Sequence, residues 1–97
     1  MTILATNVRY ENGELDLVAR HGEALLFIEV RFRHDDSRGT ALESVTPRKR
    51  ARVLRAARRW LSENGGTRGL AVRFDVVGIQ QEPFQIDWVC GAFDASP

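Results

Sequence analysis

The chain has 97 residues, of which 43% are hydrophobic and 28% charged, and its net charge is +1. This length suits one small domain with a single modest core, so we expect one domain over residues 1–97. No apolar run approaches the roughly 20 residues of a membrane span, and no signal peptide opens the chain. A lone cysteine, Cys90, cannot form an internal disulfide, which favours a cytoplasmic protein, and its apolar neighbours predict that it is buried.

The first three predicted strands include a hairpin whose turn fixes its register. Residues 3–10 form the first strand, residues 14–20 alternate charged and apolar side chains, and residues 25–30 are strongly apolar. Gly22 can adopt the positive φ of a type II′ turn with Glu23. Residues that pair across this hairpin then have numbers that sum to 45.

This register brings acidic side chains together. It sets Asp16 opposite Glu29 and Glu14 opposite Arg31, although a slip of one residue would separate them. Two adjacent carboxylates repel unless a positive group lies between them, and a divalent metal ion such as Mg²⁺ would fill that role. The alternative is structural, with Asp16 on a solvated sheet face and Glu29 paired with Arg31 or Arg33.

A basic helix follows a polar loop. The loop spans residues 34–40, and Glu43 beyond it could form a salt bridge with the helix. Thr46 is a good N-cap, Pro47 suits the first helical position, and Asn64 with the glycines after it ends the helix. Half of the chain's basic residues fall in this segment: Arg48, Lys49, Arg50, Arg52, Arg55, Arg58 and Arg59.

The basic residues of this helix indicate a phosphate-rich partner. At 100° per residue, four arginines cluster on one side, and basic residues in the first turn oppose the helix dipole. Contact with nucleic acid, and with DNA in particular, would explain that cost. The alternative is a solvated helix in an arginine-rich proteome. The residues expected to contact nucleic acid are Arg48, Lys49, Arg52, Arg55 and Arg59.

The remaining segments predict two further strands, over residues 70–79 and 84–93, with a frayed tail over residues 94–97. The element order is therefore β-β-β-α-β-β, and the helix between the third and fourth strands permits a parallel crossover. We expect an α/β fold with one layer of helix on a mixed sheet.

Three other side chains are given structural roles. Asp75 lies mid-strand between apolar residues, so we expect an ion pair with an arginine. Trp60 belongs to the apolar stripe of the helix and Trp88 lies in an apolar strand, so both are expected in the core.

Four segments, taken in order, resemble the YraN family, and the resemblance covers the chain from about residue 3 to residue 93. YraN proteins are bacterial proteins regarded as predicted endonucleases, distantly similar to archaeal Holliday-junction resolvases. The segments are Gly13-Glu14-Leu15-Asp16-Leu17-Val18-Ala19, Phe27-Ile28-Glu29-Val30-Arg31, Val45-Thr46-Pro47-Arg48-Lys49 and Arg73-Phe74-Asp75-Val76-Val77.

The resemblance implies a restriction-endonuclease-like fold with a PD-(D/E)XK-type site that holds Mg or Mn and hydrolyses DNA. Asp16 then corresponds to the metal-binding aspartate, and Glu29 to the acidic residue of the E-x-K element. Val30 contributes its backbone carbonyl, Arg31 occupies the lysine position, and Glu14 could support the metal.

Two departures from the family pattern bear on catalysis. Arginine at position 31 can neutralise charge, but the high pKa of a guanidinium group makes general-base work implausible. The chain also starts after the N-terminal helix of the family, so it is a fragment, its start was placed late, or it is a degenerate member. A bare apolar face would favour a homodimer or marginal stability.

Three functions therefore remain open at the level of sequence. The first is a metal-dependent DNA endonuclease, and the second is a catalytically degenerate nucleic-acid-binding protein of the same fold. The third is a protein-interaction or structural role in which the arginines only solvate the helix.

Overall fold

A computed structural model describes residues 1–33 and 45–93 of the chain. The polar loop, Glu43 and the C-terminal tail lie outside these residues. The elements are β1 (Thr2–Tyr10), β2 (Gly13–His21), β3 (Ala24–Arg33), α1 (Pro47–Glu63), a short 3₁₀ turn (Gly65–Thr67), β4 (Ala71–Gln81) and β5 (Phe84–Phe93). This order confirms the predicted β-β-β-α-β-β arrangement.

The five strands form one mixed sheet in the order β1-β2-β3-β4-β5. β3 and β4 run parallel, as a helical crossover between them requires, and the other neighbours are antiparallel. The β2–β3 hairpin pairs Leu17 with Ile28 through to His21 with Ala24, so the predicted register is confirmed over that stretch. Gly22 has a φ of 61°, which supplies the positive angle that the turn needs.

The helix begins and ends where its capping residues predict. The Thr46 side chain accepts a hydrogen bond from the Lys49 backbone N–H, and Asn64 is the C-cap. One face of α1 packs on the sheet, which confirms Trp60 as a core residue. The core cluster comprises Leu15, Val18, Leu25, Phe27, Val53, Ala56, Ala57, Trp60 and Phe74. No helix in the described segments is long and apolar enough to cross a membrane.

The start of β2 touches the helix backbone. A Cβ atom at Gly13 would overlap the Arg52 carbonyl oxygen and lie 3.1 Å from the Cβ of Ala56. Glycine therefore permits the close approach that brings the β2 acidic residues to the N-terminal half of α1.

The opposite sheet face, which we call the open face, carries exposed apolar side chains: Phe32, Phe84, Ile86 and Trp88. Trp88 is 46% exposed, so the prediction that it lies in the core was wrong. Cys90 is also exposed rather than buried. The apolar pattern of β5 was correct for a strand, but the described helix covers only the other face. The homodimer expected from a bare face stays a prediction.

Asp75 confirms the ion pair predicted for it. Its carboxylate is fully buried and accepts two hydrogen bonds from Arg73, at 2.8 and 2.9 Å. The indole N–H of Trp88 and the backbone N–H of Gly91 donate to it as well, at 2.8 and 3.0 Å. Burial alone would raise the pKa of Asp75, but these donors lower it below its ordinary value. Asp75 therefore locks β4 to β5 where their register shifts.

Candidate functional site

At Asp16 and Glu29, hydrogen bonds from backbone N–H groups to side-chain carboxylates replace the backbone pairing of β2 with β3. The backbone N–H of Val30 donates to Oδ2 of Asp16 at 2.9 Å. The backbone N–H of Asp16 donates in return to Oε2 of Glu29 at 3.3 Å. Each carboxylate therefore holds the backbone of the facing strand, and the two acidic side chains lie together where the regular pairing ends.

The side chains of β2 change face in the same segment. Leu15 and Val18 both join the core beneath α1, whereas Leu17 packs on the other face of the sheet. Strict alternation would put Leu15 and Leu17 on one face, so the strand changes face between Leu15 and Val18. Asp16 lies in this segment, and an irregularity of this kind redirects a side chain from the face toward the neighbouring strand.

Glu29 is the most unusual ionisable residue of the site. It is 1% exposed, and its Oε1 has no hydrogen-bond partner within the described residues. Burial, and after it the charge of Asp16, raise the pKa of Glu29 from 4.5 to about 7, while the Asp16 N–H and Lys49 act against the shift. A carboxylate in this position favours a cation at Oε1.

Lys49 is the cation that the structure brings to these acids. Its Nζ lies 2.9 Å from Oε1 of Glu14 and 3.7 Å from Oε1 of Glu29. The hydrogen bond from Lys49 holds the pKa of Glu14 below its ordinary value. The sequence had assigned Lys49 to the surface that contacts nucleic acid and had offered Arg31 or metal as partners of Glu14. The described ion pair of Glu14 is instead with Lys49.

The other residues expected at the site lie beside Glu29 on β3. The Val30 N–H points toward Asp16, and because the N–H and C=O of one strand residue face the same neighbour, its carbonyl is directed to that side too. Arg31 is half-buried, and strand alternation sets it on the same face as Glu29. Val30 and Arg31 are therefore adjacent to the two carboxylates.

A divalent cation fits these donors if substrate or water completes its coordination. No group of three or more His, Cys, Asp or Glu residues suited to a metal ion occurs within residues 1–33 and 45–93. Mg²⁺ commonly uses one or two carboxylates together with water and phosphate oxygens. Asp16, Glu29 and the Val30 carbonyl match that requirement, and Oε1 of Glu29, which accepts no hydrogen bond within the described residues, is the oxygen that a cation would satisfy.

The basic residues of α1 continue from this site along the helix. The first turn adjoins the acidic residues through Lys49. Most of the arginines on this side of the helix are exposed, and Arg52 is half-buried. The surface formed by these side chains, called here the arginine stripe, consists of Arg48, Arg52, Arg55 and Arg59.

Two members of the arginine stripe also contact the protein. The Nε of Arg55 donates to the Asn12 carbonyl at 3.1 Å. Arg59 pairs with Glu63 at 3.2 Å, and its guanidinium lies 5.2 Å from the centre of the Tyr10 ring. These contacts orient the two arginines along the β1–β2 hairpin, and both remain exposed to solvent.

The comparisons with known proteins agree with the resemblance of the four motifs. The family model described as uncharacterised protein family UPF0102 matches residues 1–79. A UPF0102 protein of Vibrio cholerae serotype O1 is 43% identical over 93 residues, covering 95% of this chain and 76% of that protein. A UPF0102 protein of Yersinia pseudotuberculosis serotype O:1b is 44% identical over 91 residues, covering 93% of this chain and 76% of the relative. The chain therefore belongs to family UPF0102, which is the YraN family that its motifs resemble.

Proposed function

We propose that this protein is a metal-dependent endonuclease acting on DNA, with a restriction-endonuclease-like fold and a PD-(D/E)XK-type site. One observation carries the proposal: buried Glu29, whose Oε1 accepts no hydrogen bond within the described residues, is joined to Asp16 where the β2–β3 ladder opens. A carboxylate pair held in this way is costly to a structure without a cation. Its position at the N-terminal end of an arginine-rich helix supports a phosphate-containing substrate.

Each residue of the site would have a distinct role. Asp16, Glu29 and the Val30 carbonyl would hold Mg²⁺ or Mn²⁺, which when bound polarises a phosphodiester and lowers the pKa of coordinated water. Arg31 would neutralise charge on the phosphate, because a guanidinium group is a hydrogen-bond donor and not an acceptor. Glu14 acts through Lys49, with which it forms an ion pair.

The arginine stripe would hold the DNA backbone. Guanidinium groups match phosphate oxygens well, and such contacts are independent of base sequence. Arg48 is an exposed member of the stripe in the same helical turn as Lys49, so DNA bound along the stripe would lead toward the acidic residues.

The second candidate function is DNA binding without hydrolysis. Lys49 partly neutralises Glu14 and Glu29, and Arg31 stands where the family pattern has lysine. A catalytically degenerate protein could keep both features and the arginine stripe while having lost the metal ion.

Metal binding separates the two candidates. Calorimetric titration with Mn²⁺ and Mg²⁺ is made on the wild type, on Glu29→Gln and on Glu23→Gln. Glu23 is the matched control because it is exposed in the β2–β3 turn. Plasmid and four-way-junction cleavage run in parallel. Binding and cleavage that are lost only in Glu29→Gln would support the nuclease, and cleavage that persists in that variant would refute this site.

DNA binding is tested at the arginine stripe by charge reversal. Arg52→Glu should weaken binding, and removal of one contact with a phosphate should reduce the slope of log K against log [salt] by roughly 0.9. Arg68→Glu is the control because Arg68 is exposed beyond the end of α1. Equal effects of both variants would refute the stripe as the DNA surface. Binding without cleavage under either metal would support the second candidate.

A further inference from the structure

The Lys49 side chain does not lie on the side of α1 that carries the arginine stripe. It is the third residue of α1 and the only lysine in the chain. Its backbone N–H donates to the Thr46 side chain at 3.2 Å, which fixes the first helical turn. Its side chain extends to Glu14 and Glu29, so the ammonium group belongs to the acidic site and not to the arginine stripe.

The position of Lys49 is electrostatically unfavourable without these acids. A cation in the first turn opposes the helix dipole, and α1 has no acidic residue there. Its side chain is only 21% exposed, so water screens it incompletely. The two carboxylates offset these costs, and Lys49 in turn offsets the cost of burying Glu29.

A divalent cation and the Lys49 ammonium would compete for the same oxygen. Oε1 of Glu29 lies 3.7 Å from Nζ, which is longer than a hydrogen bond, and it has no donor within the described residues. A metal ion at this oxygen would repel an ammonium group at that distance. The flexible four-carbon stem of lysine allows the ammonium group to turn away.

We propose that Lys49 is the ammonium group of this site and has two alternative partners. Without metal it bridges Glu14 and Glu29, and once a divalent cation occupies Glu29 it turns to the phosphate of the DNA. Lys49 thereby supplies from α1 the ammonium group that position 31 of β3, an arginine here, does not supply. This inference rests on the proposed function.

The single lysine allows a direct spectroscopic test on the unmodified protein. A chain labelled with ¹³C-lysine gives one ε-methylene signal, which reports on Lys49 alone. We expect Mg²⁺ to shift this signal saturably, with the same concentration dependence as binding measured by calorimetry. Glu29→Gln should abolish the shift in that concentration range.

Metal affinity provides a second, independent readout. Removing the competing ammonium group in Lys49→Met should tighten Mn²⁺ binding roughly tenfold, equivalent to about 1.4 kcal/mol. Arg48→Met is the control because it removes one positive charge from the same helical turn, without a described contact to the acids. Its affinity should change much less. Circular dichroism verifies that both variants are folded.

The outcomes distinguish the inference from the function on which it rests. A moving lysine signal and tighter binding by Lys49→Met support the two-partner role. Mn²⁺ binding with a stationary signal and equal affinity in Lys49→Met overturns that role and leaves the nuclease proposal intact. If neither wild type nor Lys49→Met binds Mg²⁺ or Mn²⁺, the metal-dependent function and the inference both fall. In an active enzyme, Lys49→Met should lower cleavage by about 10²–10³, as loss of one charge-stabilising group does.

Discussion

Glu29→Gln, studied in EDTA so that no divalent cation is bound, isolates the cost of ionising a buried carboxyl group. The pKa of Glu29 is about 7 in the folded chain, compared with 4.5 for an ordinary glutamate. The folded state therefore binds the proton more tightly than the unfolded state. For this reason, the contribution of Glu29 to the free energy of unfolding falls as the pH rises from about 4.5 to about 7.

The size of this change in the free energy of unfolding follows from the same difference in pKa. About 2.5 pH units, at about 1.4 kcal/mol per unit, correspond to about 3 kcal/mol. Glutamine stays neutral, so the Glu29→Gln variant lacks this pH dependence. Relative to the wild type, it should gain about 3 kcal/mol of stability between pH 4.5 and pH 8.

The assay is urea unfolding followed by tryptophan fluorescence, to which buried Trp60 contributes, at constant ionic strength and at several pH values. The contributions of other titrating groups to the free energy of unfolding largely cancel in the difference between variant and wild type. Glu23→Gln supplies the exposed control. Adding Mg²⁺ at pH 8 should stabilise the wild type but not Glu29→Gln. Parallel pH curves for the wild type and Glu29→Gln in EDTA would refute the argument from burial.

Three further predictions concern the fold around the site. Gly13→Ala should lower stability by about 1–3 kcal/mol because its Cβ would overlap a helix carbonyl, whereas Gly66→Ala, with open space around it, should be nearly neutral in thermal unfolding. Asp75→Asn should cost about 1.5–3 kcal/mol because it removes the buried charge that accepts hydrogen bonds from Arg73 and Trp88, and a loss below 1 kcal/mol in urea unfolding would contradict the lock between β4 and β5. Cys90 should react with a thiol reagent in the native protein at a rate near that of the urea-unfolded chain, and protection from the reagent would contradict its exposure.

Local chemistry made much of this fold predictable. The turn at Gly22 determined the register of the β2–β3 hairpin, because only one alignment follows from a two-residue turn. Thr46 and Asn64 predicted the ends of α1 because capping residues satisfy backbone groups that the helix leaves unpaired. These signals depend only on neighbours in sequence, so they can be interpreted without knowledge of tertiary packing.

The partner of Lys49 was missed, although the sequence held a signal for it. At 100° per residue, Lys49 projects beside Ala56 and Trp60, on the apolar side of α1 rather than in the arginine stripe. Its assignment to the DNA surface followed from its charge alone. The contact with Glu29 spans 20 positions of sequence and depends on how α1 docks on β2, which no local pattern encodes.

The errors on β5 have a different cause. Apolar residues predicted the strand correctly, and hydrophobicity was then taken to mean burial for Trp88 and Cys90. Burial depends on which sheet face the helix covers, and α1 packs on the face that includes Phe27 and Phe74. Along β5 the apolar Phe84, Ile86 and Trp88 alternate with the polar Gln85 and Asp87, so the pattern wrongly indicated that the more apolar side chains face the core.

The two tryptophans of the chain lie in contrasting environments, which gives the protein separable optical probes. Trp60 is buried with its ring 5.9 Å from that of Phe27, whereas Trp88 is partly exposed on the open face and donates to Asp75. Trp88→Phe would leave an emission that reports on the core beneath α1. Trp60→Phe would leave an emission that shifts to shorter wavelength whenever another surface covers the open face, so coverage of that face can be followed without an added label.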